Sequence, residues 1–82
     1  MPYQVLVIDD NAINRRYVKS VVEREGITVF ESADGLNGIS MAEKILPDLI
    51  LVDIQMPEMD GFECLRALQK IKSVQGPILA IT

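Results

Sequence analysis

Short apolar runs alternate with amphipathic stretches along this chain, and that alternation restricts the fold more than any other feature. The runs are "QVLVID" (4–9), "ITVFES" (27–32), "DLILVD" (48–53) and "PILAIT" (77–82). Between them stand "NAINRRYVKSVVERE" (11–25), "ADGLNGISMAEKIL" (33–46) and "FECLRALQKIK" (62–72). Apolar runs of this length, bounded by turn residues, read as strands, and the longer stretches carry the 3.6-residue period of helices. The order β-α-β-α-β-α-β predicts an α/β domain: a parallel sheet, right-handed crossovers, and helices on both faces.

Local signals place the element ends. Asn11 suits an N-cap and Gly26 a C′ stop for the first helix, and Pro47 ends the second. Periodicity puts Ile13, Tyr17, Val18, Val21 and Val22 on one face of the first helix, expected to lie on the sheet. Leu36, Ile39, Ala42 and Leu46 are expected inward in the second helix, and Leu65, Leu68 and Ile71 in the third. Phe30 and Tyr17 read as core, and Cys64 as a small core filler with nothing basic beside it in sequence to activate it. Met56 and Met59 read as loop packing, Pro57 as a stiffener of that loop, and Gly61 as room for a tight helix entry.

The acids carry the chemistry. In open α/β sheets, ligands bind beyond the carboxyl ends of the strands. Asp9 and Asp10 follow the first strand and Asp53 closes the third. If those strands are neighbours, the three carboxylates converge, and like charges so placed must protonate, repel or hold a cation. With oxygen donors, no histidine and no cysteine nearby, the cation that suits them is hard, Mg²⁺ before Zn²⁺.

Composition narrows the partners. A net charge of −4 argues against nucleic acid or an anionic membrane. No stretch approaches eighteen apolar residues, and the opening "MPYQVLVIDD" has no signal-peptide pattern. One cysteine cannot form an internal disulfide, so the expected compartment is the reducing cytoplasm.

With "VLVIDDN", "LILVDIQMPEMDG" and "PILAIT" in this order and spacing, the chain resembles the receiver domain of two-component response regulators throughout its length. "DDNAINR" and "DIQMPEMDG" look most like single-domain regulators and the receivers of hybrid kinases. The resemblance implies a flavodoxin-like doubly wound sheet in strand order 2-1-3-4. It also implies a phosphoacceptor at Asp53, fed by a histidine kinase or a histidine phosphotransfer protein. Mg²⁺ would be held by Asp9, Asp10, Asp53 and the backbone carbonyl of Gln55, and Thr82 would be the switch hydroxyl on a phosphoryl oxygen. Such chemistry needs an in-line oxygen nucleophile and positive charge on the equatorial oxygens. Asn14, Arg15 and Val18, with Arg16 and Lys19 nearby, would then face the partner.

The family pattern continues with a fourth helix, a fifth strand bearing a lysine, and a fifth helix. Residues 1–82 are therefore expected to be a partial receiver domain truncated after its fourth strand, and none of its eight bases can stand in for that lysine. The same expectation leaves the fourth strand as an unpaired edge through which the chain self-associates. An alternative follows: a fragment that is not phosphorylated and serves only as an interaction or oligomerisation module.

Rival chemistries fit less well. A phosphatase with an aspartyl-phosphate intermediate, as in the haloacid-dehalogenase-like group, wants an acid two residues after the nucleophile, where this chain has Gln55. The expected module is thus no enzyme beyond self-catalysed gain and loss of its phosphoryl group. A nucleotide or flavin module wants a glycine- or hydroxyl-rich first loop, and "DDNAIN" is acidic instead.

Overall fold

The computed structural model describes residues 3–55, 61–71, 74 and 76–81. Each apolar run becomes a strand: β1 (Gln4–Ile8), β2 (Thr28–Ser32), β3 (Leu49–Asp53) and β4 (Ile78–Ile81). The amphipathic stretches become α1 (Ala12–Glu23), α2 (Gly35–Ile45) and α3 (Gly61–Gln69). All strand pairings are parallel, and the order is β2-β1-β3-β4, as the family resemblance implies. The chain reverses direction across the sheet between β2 and β3, so β1 and β3 lie side by side with Val5 opposite Leu49 and Ile8 opposite Val52. That reversal is the switch point of a doubly wound sheet, and the two strand ends beside it carry the acids.

The pleat sends alternate residues to two cores. On one face Leu6, Ile8, Ile50 and Val52 are fully buried against Ala42 of α2 and Cys64 and Leu68 of α3. On the other, Val5, Val7 and Val29 pack with Val18 and Val22 of α1 and with Leu49 and Leu51. Two helices therefore cover one face and α1 the other. Strands buried on both sides need apolar residues at every position, which is why β1 and β3 read as continuous runs rather than alternations.

Asn11 caps α1 as expected: its Oδ1 accepts from the N–H groups of Ile13 (2.9 Å) and Asn14 (3.1 Å). Asp34 caps α2 in the same way, through Asn37 N–H at 2.7 Å, so that helix starts two residues later than the sequence pattern suggests. Gly26 takes a positive φ of 78°, but it lies two residues past the C-cap Arg24 rather than one. Leu46, at φ 54°, closes α2 in the left-handed region just before Pro47.

The helix faces differ from their periodicity. Of the five apolar residues read onto that face of α1, Val18 and Val22 pack on the sheet, while Ile13 and Tyr17 are about three-quarters exposed and Val21 is also exposed. Tyr17 is thus not core, whereas Phe30 does pack partly against the first cluster. In α2, Leu36 and Leu46 are exposed, and the buried positions are Gly35, Gly38 and Ala42, with Ile39 packed beside them. The sheet approaches α2 too closely for larger side chains: a Cβ on Gly38 would lie 2.5 Å from Ile8 Cδ1. In α3, Leu68 and Cys64 are the buried pair, and Ile71 packs against the same cluster from just beyond the helix. Met56, Pro57, Met59, Lys72 and Thr82 lie outside the described residues.

Candidate functional site

β1 and β3 end side by side, and each ends in acid. Asp9 follows Ile8 directly, its N–H still bonded to Ser32 O at 3.0 Å, so its position is set by the sheet. Asp53 is the last residue of β3, opposite Ile81. Asp9 is 3% exposed and Asp53 8%, whereas Asp10 is exposed. Asp9, Asp10 and Asp53 each offer a carboxylate oxygen, and these oxygens lie within 4.8 Å of one another. The convergence anticipated from the strand ends is present.

Backbone groups hold the two buried carboxylates. Asn11 N–H donates to Asp9 Oδ1 at 2.9 Å, and Gln55 N–H donates to Asp53 Oδ1 at 2.9 Å. Each acid thus bonds the amide two residues on, the local turn that short acidic side chains favour after a strand. Burial raises the Asp9 carboxyl above its ordinary value, and the negative charge of Asp53 pushes the same way. The Asn11 N–H opposes both. A buried acid facing a second acid is relieved by a cation, and three carboxylate oxygens suit a hard one. The residues present therefore fit Mg²⁺, and Gln55 stands beside Asp53 with its N–H already engaged there.

The expected docking residues divide. Asn14 is exposed at the start of α1, next to the acids. Val18 is half-buried against Val5, Val7 and Val29, so it belongs to the core rather than to a docking surface. Arg15 also turns inward: its Nη1 donates to the backbone carbonyl of Asp9 at 2.6 Å and its Nε to Glu31 Oε1 at 3.3 Å. Lys19 Nζ lies 3.6 Å from the other Glu31 oxygen. Periodicity gave no hint of this network, because its anchor is on another element. The available signal was Glu31 itself, an acid in the middle of the strand "TVFES". Arg16 stays exposed, and with Arg15, Lys19, Ser20, Glu23 and Glu31 it lines a shallow groove along α1.

Comparison with known proteins gives concordant results. The family model described as the response regulator receiver domain matches residues 5–82. The polar-differentiation response regulator DivK of Brucella anthropi is 32% identical over 83 residues, a match spanning the whole of this chain and 68% of DivK. The sensor histidine kinase CheAY of Helicobacter pylori is 37% identical over 83 residues, covering 98% of this chain but only 10% of that protein. Among solved structures, the receiver domain of the sensor histidine kinase PA1611 from Pseudomonas aeruginosa PAO1 superposes with a TM-score of 0.91 at 28% identity. That match covers all of this chain and 68% of the PA1611 domain, whose structure has a magnesium ion coordinated in the active site cleft.

Proposed function

The chain belongs to the response regulator receiver family, and from that premise we propose that it is a phosphoacceptor module of a two-component phosphorelay, charged on Asp53. One observation carries the proposal: the carboxylates of Asp9, Asp10 and Asp53 converge at the adjoining ends of β1 and β3. The phosphoryl donor is a phosphohistidine of a kinase or phosphotransfer protein, approaching over the exposed start of α1 at Asn14.

An Asp53 carboxylate oxygen attacks phosphorus in line, forming the new O–P bond as the P–N bond to the donor imidazole breaks. The electron pair returns to the imidazole nitrogen, and the product is an aspartyl phosphate. Gln55 N–H fixes Asp53 Oδ1 and so orients the attacking carboxylate. Asp9, Asp10, Asp53 and the Gln55 carbonyl would hold Mg²⁺. When bound, the ion supplies the charge neutralisation that three phosphoryl oxygens need. Thr82, outside the described residues, would donate its hydroxyl to a phosphoryl oxygen. The module acts as substrate and switch rather than as an enzyme turning over a separate substrate, and its workplace is the cytoplasm. Among the described residues, no helix is long and apolar enough to cross a membrane.

Incubation with Mg²⁺ and acetyl phosphate, followed by intact mass, tests the reading against an Asp53→Asn control. An adduct confined to the unsubstituted protein supports it. No adduct in either would leave the alternative, an interaction module that carries no phosphoryl group.

A second reading concerns assembly. β4 pairs only with β3 among the described residues, and Leu79 on it is about half exposed. Such an edge suits strand pairing with a second copy. Sedimentation equilibrium showing monomer alone at high concentration would exclude it.

A further inference from the structure

We propose that Arg15 is a positioning residue for the acidic site: by gripping the Asp9 carbonyl and the Glu31 carboxylate together, it sets the turn that aims Asp10 at Asp53. The inference rests on the phosphoacceptor reading and extends it to a residue outside the carboxylate cluster.

The β1–β2 pairing runs out where the site begins. Its last matched residues are Ile8 and Ser32, and Asp9 contributes one more ladder bond through its N–H to Ser32 O at 3.0 Å. The Asp9 carbonyl lies past the ladder, and its partner is Arg15 Nη1 at 2.6 Å. That carbonyl and the Asp10 nitrogen share one peptide plane, so fixing the oxygen fixes the plane from which Asp10 departs. Asn11 N–H closes the turn from the other side, on Asp9 Oδ1 at 2.9 Å. The turn is therefore held at both ends, and one of the two holds is the guanidinium.

Arginine suits this role where lysine does not. Its planar fork reaches two acceptors in different directions at once, and here one follows β1 and the other lies on β2. Nε meets Glu31 Oε1 at 3.3 Å while Nη1 meets Asp9 O, and Lys19 Nζ steadies the other Glu31 oxygen at 3.6 Å. Glu31 sits opposite Val7 in the register, so the brace spans from the first turns of α1 over β1 to β2. The Arg15 side chain is only 17% exposed, unlike its exposed neighbour Arg16. An arginine held this way is unavailable as a docking charge.

The test compares the full chain with Arg15→Lys, Arg15→Ala and an Arg16→Ala control. Metal-free amide hydrogen exchange is read first, then Mg²⁺ affinity by titration calorimetry. Arg15→Lys should speed exchange of the Asn11 amide while Leu6 and Ile50 keep their protection, and should weaken Mg²⁺ binding by about tenfold, as loss of a supporting contact commonly does. Arg15→Ala should do the same more strongly, and Arg16→Ala should change neither. A general loss of melting temperature with Mg²⁺ affinity unchanged would make Arg15 a structural brace only and overturn the proposal. An unchanged Asn11 amide in Arg15→Lys would overturn it as well. If the unsubstituted protein takes up no Mg²⁺, the phosphoacceptor reading fails by itself, while the hold on the turn still stands or falls with the Asn11 amide.

Discussion

The main-chain N–H of Gln55 donates to Oδ1 of Asp53 at 2.9 Å, so the carboxylate that closes β3 is held in orientation by its own following turn. Asn11 does the same for Asp9. Two acids on adjacent strands are thereby fixed in orientation by their own following turns, before any ligand arrives. Preorganisation of this kind spares the reaction a rearrangement at the moment of attack.

Asp53→Glu tests that preorganisation. The substitution keeps the carboxylate and adds a methylene, so the oxygen moves by more than an ångström and the bond from Gln55 N–H is lost or reshaped. Misplacement on that scale typically lowers rates by about a hundredfold. The expected outcome is a slow trace of phosphoryl adduct with acetyl phosphate where the unsubstituted chain labels readily, measured as a time course of intact mass. Labelling at the original rate would mean that the fixed geometry is irrelevant.

Asp9→Asn should stabilise the metal-free protein. Burial, then the charge of Asp53, raises the Asp9 carboxyl above its ordinary 3.8. A group with a raised folded-state pKa contributes stability that is complete below the unfolded value and lost as pH rises through the folded one. At neutral pH the ionised Asp9 is therefore a liability, and removing its charge removes it. The variant's Tm should exceed the parent's at pH 7 without divalent ions, and the gain should shrink at pH 4. Added Mg²⁺ should reverse the ranking, because the acid then has a counter-charge. A variant less stable than the parent in chelator would contradict the electrostatic argument.

These acids were legible because they stand at strand ends, and strand ends are what apolar runs mark best. The sheet order followed from the same alternation together with the family resemblance. Less legible was how much of each helix the sheet covers. At about 100° per residue, Ile13 lies on the side of α1 opposite Val22, so the apolar positions wrap more of the helix than the sheet covers, and only Val18 and Val22 make contact. A stripe that broad does not say which of its edges meets the sheet. In α2 the apolar signal misled for a different reason: the helix sits so close to Ile8 that glycine and alanine occupy the contact, and glycine carries no hydrophobic signature. Arg15 was hidden because its role needs Glu31, sixteen residues away on β2.

Cys64 supplies a prediction on the alkaline side. It is fully buried in the core between α2, α3 and the sheet, and burial, then the charge of Asp34, pushes its thiol up to about 11. The raised value again means stability that is complete below the ordinary 9.0 and lost as pH climbs through about 11. Folded protein at pH 8 should resist iodoacetamide, with labelling governed by unfolding. Cys64→Ala should flatten part of the fall in Tm between pH 9 and 11 relative to the parent. Rapid alkylation under native conditions would show that the thiol is accessible after all.

Gly38→Ala sets two opposing effects against each other. In a helix interior, alanine is favoured over glycine by about 1 kcal/mol. The added methyl would, however, lie 2.5 Å from Ile8 Cδ1 and 2.7 Å from Cγ1, and Ile8 is fully buried. Overpacking of this kind costs about 1–3 kcal/mol, so the substitution should be a net destabilisation of up to about 2 kcal/mol. Ile8→Val alone should cost about 0.5–1.5 kcal/mol. Together the two changes should cost less than their sum, since the valine withdraws the methyl that the alanine strikes. Urea unfolding of the four proteins in this cycle measures the coupling. Strict additivity would mean that α2 moves off the sheet to make room, and that the close approach at Gly38 is not what places the helix.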